Sequence, residues 1–136
     1  MKKSLFASIS LLALVAIIGA APVAAGATTE FIAGNPPCGD GTKIDPVAAG
    51  TYALAGGGHI VITLGDGNTF SFTTEGSATV SSIVVKGGPN ALLWTFAPPV
   101  ESWSGLHAPL NPNNGKWYGL SHLCVNSSKK DGGGKK

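Results

Sequence analysis

Beyond residue 27 the apolar positions recur with period two in short runs, divided by Gly, Pro, Asn and Ser clusters, and no stretch carries a helical period. Residues 51–54 form a first short run that stops at Gly56-Gly57-Gly58. Residues 59–64 alternate cleanly, with Ile60, Ile62 and Leu64 on one face. Gly65-Asp66-Gly67-Asn68 then supplies residues that accept the positive φ of a tight turn, and residues 69–74 return with Phe70 and Phe72 inward. Two further runs, 79–86 and 91–96, flank a Gly87-Gly88-Pro89-Asn90 turn, the second placing Leu92, Trp94 and Phe96 together. Residues 97–116 hold Pro98, Pro99, Pro109 and Pro112 and are expected to form a long irregular loop. A last strand is expected over 116–125, with Tyr118, Leu120, His122 and Cys124 on one face and Trp117 on the other. The pattern predicts an all-β domain: a single antiparallel, immunoglobulin-like two-sheet sandwich of about seven strands.

The start of the chain follows a different logic. Lys2 and Lys3 precede an apolar run over 5–21, Pro22 breaks it, and Val23-Ala24-Ala25 or Ala25-Gly26-Ala27 fits an A-x-A-like cleavage site. Residues 1–27 therefore read as a signal peptide, 28–126 as the exported domain, and 127–136 as a disordered Lys/Gly-rich tail. No later apolar run approaches the ~20 residues of a transmembrane helix. The expected location is extracellular, free or at the cell surface, and the expected state is a monomer.

Charge changes the picture once the leader is set aside. Residues 28–126 carry three lysines against six acids, the tail carries four lysines against Asp131, and the chain has no arginine. Without arginine forks or a basic face, nucleic-acid binding is not expected. Cys38 and Cys124, an even pair in an exported chain without C-x-x-C spacing, read as a disulfide closing a loop of about 90 residues. His122 falls on the Cys124 face, and with the disulfide taken as internal it is expected in the interior.

Candidate chemistry is sparse. His59, His107 and His122 lack the close pairing of zinc ligands, so no metal or other cofactor is expected. Ser121 and His122 point to opposite faces of one strand and cannot form a nucleophile pair. The carboxylates Asp40, Asp45, Asp66, Glu75 and Glu101 are scattered in turns. Trp103, His107 and Trp117 stand out, because aromatic side chains with polar tips suit binding surfaces and long loops carry function. They are the expected ligand contacts, with the 97–117 region as the recognition face.

Three segments also carry a resemblance. Val85-Lys86-Gly87-Gly88-Pro89-Asn90, Ser104-Gly105-Leu106-His107-Ala108-Pro109 and Gly119-Leu120-Ser121-His122 with Cys124 resemble motifs of a largely uncharacterised family of bacterial exported β domains. Cys38, Lys43-Ile44-Asp45-Pro46 and Gly50-Thr51-Tyr52 resemble the start of the same domains, so the likeness covers residues 38–126. It implies a secreted or surface β domain and little more. Trp103 stands where the pattern has Asp, and the final cysteine lies one residue nearer the histidine. A ligand held by that Asp in relatives would not be held here. The expected function is a non-catalytic binding or structural module for a glycan or cell-wall polymer. The alternative is a small extracellular hydrolase or metal-dependent enzyme centred on His107 and a nearby carboxylate.

Overall fold

The computed structural model describes residues 24–130. These form eleven strands and no helix: β1 (Gly26–Ala33), β2 (Thr42–Ile44), β3 (Gly50–Ala53), β4 (His59–Leu64), β5 (Phe70–Glu75), β6 (Ala78–Gly87), β7 (Asn90–Val100), β8 (Ser102–Leu106), β9 (Leu110–Asn111), β10 (Lys116–Trp117) and β11 (His122–Lys129). A five-stranded sheet runs in the order β1-β7-β6-β11-β2 and a four-stranded sheet in the order β3-β4-β5-β8, while β9 and β10 pair as a separate hairpin. Every pairing is antiparallel. The all-β antiparallel class and the Cys38–Cys124 bond are present as the alternation and the cysteine pair predict; the strand count is higher than seven.

Period-two alternation explains the core. Ile60 and Ile62 of β4, Phe70 and Phe72 of β5, Ile83 and Val85 of β6, and Leu123 and Val125 of β11 are all buried, in one apolar cluster drawn from both sheets. Phe72 and Phe96 meet edge to face across it, with ring centroids 5.9 Å apart. The β4–β5 hairpin forms where the Gly and Asn signals place it. Gly65 N–H donates to Thr69 O at 2.8 Å, and Gly67 and Asn68 take φ of 68° and 64°.

Four expectations are corrected. The stretch 97–116 is not one irregular loop. Strand β7 continues through Val100, and after Glu101 the chain enters the other sheet as β8. Pro98 and Pro99 are accommodated because the β6–β7 register jumps from Ser82↔Thr95 to Val80↔Val100, an irregularity in which no ladder N–H is required there. The strand expected over 116–125 is divided: residues 118–121 leave the ladder, so β10 joins β9 while β11 joins β6. Strand β11 also runs to Lys129, past the boundary at 127 expected for the tail; residues 131–136 lie outside those described, as do residues 1–23 of the expected leader.

The last correction concerns the disulfide. Strands β1 and β2 occupy opposite edges of the five-stranded sheet, so residues 34–41 must cross its outer face. That crossing carries Cys38 onto Cys124, with Cα atoms 5.3 Å apart. Val84, Ala91 and Cys124 form a small second cluster there, separate from the main core. His122 and Cys124 therefore face outward, and Leu123 and Val125 face inward.

Candidate functional site

The three expected contact residues separate into two roles. Trp103 lies on β8 opposite Phe72, packs against the core, and its ring tilts at 5.3 Å from Phe96. It is a strand residue with a packing role, not a loop residue. Trp103→Ala is expected to cost about 2 kcal/mol of stability, less than the full truncation of a buried Trp because Trp103 is only partly buried. Chemical denaturation checks this.

His107 and Trp117 are brought together. Their rings stack at 3.6 Å with planes 13° apart, and Trp94 meets the imidazole edge-on at 5.2 Å. Trp94 Nε1–H donates to His107 O at 3.1 Å, and His107 Nδ1 lies 3.0 Å from Ala108 O. The imidazole is thus fixed between two indoles. Among the described residues no carboxylate pairs with it: Asp45 sits 3.8 Å from Lys43, and Glu101 pairs with Lys130.

Trp117 lines a groove of about 500 Å³ between the β4–β5 turn and the β9–β10 hairpin. Asp66, Asn68 and Thr69 come from the turn, and Leu110 and Lys116 from the hairpin. Asn68 Nδ2–H donates to Trp117 O at 3.1 Å and so ties the two walls together. The hairpin tip is stiffened by its own asparagines: Asn113 N–H donates to Asn111 Oδ1 at 2.9 Å, and Lys116 N–H to Asn114 Oδ1 at 3.0 Å. A second hollow of about 210 Å³, lined by Val47, Leu64 and Leu120, adjoins across Asn68 and Thr69. Leu64 and Leu110 are 48% and 51% exposed, so large apolar side chains stand open on both sides of the turn.

The sequence did not single out Asp66, Asn68 or Lys116, because each reads as ordinary turn chemistry. Only the pairing of two distant turns gives them a common wall. The resembling motifs also meet. Ser121 N–H donates to Lys86 O at 2.8 Å, Tyr118 N–H donates to Pro109 O at 3.0 Å, and Gly87 lies directly beneath Ala108, Tyr118 and Gly119.

The remaining histidines lie elsewhere. His59 is exposed opposite Glu75. Among the described residues no three His, Cys, Asp or Glu side chains gather into a metal-holding group. His122, 8% exposed, stands opposite Lys86 in the β6 ladder. Burial first, then Lys43 and Lys86, hold its pKa below the ordinary 6.5, against an opposing pull from Asp45. The folded protein therefore binds the proton less readily than the unfolded chain. Its contribution to stability is complete above about pH 6.5 and is lost as pH falls through the folded pKa. Unfolding free energy is expected to fall between about pH 7 and pH 5 with a steeper slope in wild type than in His122→Gln. Equal slopes, measured by urea titration across that range, would contradict the assignment.

In comparisons with known proteins, no family model, no curated protein sequence and no solved structure matches the chain.

Proposed function

We propose that this protein is an exported, non-catalytic binding module whose ligand is a glycan or cell-wall polymer, held in the groove beside Trp117. The observation that carries the reading is the Trp117–His107 stack at the wall of an open groove whose rim offers Asp66, Asn68 and Lys116. A sugar ring presents an apolar face and a polar edge. The first would rest on the indole side that His107 leaves uncovered, and the hydroxyls would meet the carboxylate, amide and ammonium. Backing by His107 and Trp94 holds the platform before the ligand arrives, which lowers the ordering cost of binding. The scaffold is read as a two-layer sandwich, supported by the single core drawn from both sheets. It is immunoglobulin-like in layering alone, because its strand order differs from the immunoglobulin arrangement. Membership of residues 38–126 in the exported family they resemble is part of the same proposal, supported by the convergence of its three motifs.

The test is an array of glycans and cell-wall polymers probed with the domain beginning at Gly26, as cleavage after Ala25, the earlier of the two candidate sites, would leave it. Trp117→Ala is expected to lower affinity at least tenfold, the cost of losing one aromatic anchor, and Asp66→Ala to weaken binding as well. His107→Ala, which removes the backing of the platform, is expected to weaken binding while the domain stays folded. Binding that survives Trp117→Ala unchanged would move the site elsewhere.

A further inference from the structure

The four edges of the two larger sheets are not alike. Strand β2 has three residues, β3 has four, and β8 carries a register shift against β5, so each is too short or too irregular to template another strand. Strand β1 is the exception. It pairs with β7 over eight consecutive residues without a bulge, and its other side has no partner among the described residues. Gly26-Ala27-Thr28-Thr29-Glu30-Phe31-Ile32-Ala33 contains no proline and no lysine, the usual guards of an edge. It also holds Phe31, 57% exposed, the most open of the large apolar side chains among the described residues.

We propose that β1 pairs antiparallel with β1 of a second copy of this chain, joining two five-stranded sheets around a twofold axis centred on Thr29. The strand's own sequence selects this partner and register. In a continuous sheet, directly opposed residues share a face, so a twofold pairing must centre on a residue. Centring on Glu30 would oppose two like charges. Centring on Thr29 sets Thr29 against itself, Glu30 against Thr28, and the large Phe31 over the small Ala27. Ala27 already packs against the main core, so the partner's Phe31 would extend that core across the junction. Seven residues a side, Gly26 to Ile32, is fewer than the ~20–30 of a standard interface, so the dimer forms with rising concentration. The pairing is independent of the groove at Trp117.

Sedimentation velocity of the chain beginning at Gly26 tests this over a concentration series. Wild type is expected to shift from monomer to dimer mass. Thr29→Lys and Thr29→Asp, at an exposed position, are each expected to stay monomeric, and an equimolar mixture to regain the dimer. Thr29→Cys supplies a second route: it is expected to cross-link across the axis under oxidising conditions, whereas Ala33→Cys, which has no self-opposed position, is not. A wild type that stays monomeric at every concentration would overturn the proposal. So would a dimer that persists in Thr29→Lys, a mixture that does not associate, or cross-linking as efficient through Ala33→Cys.

Discussion

Reduction of Cys38–Cys124 is expected to lower the melting temperature by more than about 15 °C. The bond joins residues 86 apart, and closing a loop of that length removes roughly 4–5 kcal/mol of unfolded-state freedom. In a domain of this size each kcal/mol moves the midpoint by about 4 °C or more. A second effect adds to the first. The bond pins the crossing segment 34–41 over Val84 and Ala91, and without it that small outer cluster opens to water. Calorimetry of the oxidised protein against a Cys38→Ser/Cys124→Ser variant measures the difference. A shift of only a few degrees would show that the unfolded chain is already constrained.

Gly87→Ala is expected to cost about 3 kcal/mol, the upper part of the range for overpacking. A Cβ there would sit 2.5 Å from the Ala108 Cβ, 2.8 Å from Gly119 O and 3.1 Å from the Tyr118 Cβ. None of these atoms can rotate away, since each is backbone or the first atom of a side chain. Relief requires the segment through Pro109 or the one through Tyr118 to move, and these lead into β9 and out of β10. Gly87→Ala should therefore also loosen the hairpin that presents Trp117. Gly119→Ala is the matched control: no neighbour lies within 4 Å of its Cβ, and a change under about 0.5 kcal/mol is expected. Equal melting curves for the two variants would refute the close approach.

What was legible in the chain was what local chemistry alone decides. The β4–β5 hairpin is written in its alternation and its Gly-Asp-Gly-Asn turn, and β4 occupies the same residues, 59–64, in pattern and in structure. Strand β1 was hidden because the small residues at its start fit a cleavage-site pattern, although Thr28, Thr29, Phe31 and Ile32 are good strand formers. The prolines of 97–116 masked the end of β7 beyond residue 96 and all of β8, since their tolerance depends on a register jump against β6 that no local pattern encodes. The inward face of β11 is not readable locally for a related reason. A cysteine and a histidine look internal until a remote segment is found crossing the outside of the sheet to cover them. The candidate site divided the same way: Trp117 and His107 were legible as unusual side chains, while Asp66, Asn68 and Lys116 gained meaning only when two turns met.

The crossing segment gives the domain an unusual response to force. Strands β1 and β11 lie near the two ends of the described chain, and the covalent link runs from Cys38, in the segment that follows β1, to Cys124 of β11. A pull applied at both ends is carried through that link and bypasses the span between the cysteines, whose sequence separation is 86. About 300 Å of contour length, at ~3.5 Å per residue, is withheld from extension. Only β1 and the chain beyond Cys124 can be drawn out. The groove at Trp117, which lies wholly within the bypassed span, keeps its covalent frame under loads that would unravel an unlinked domain.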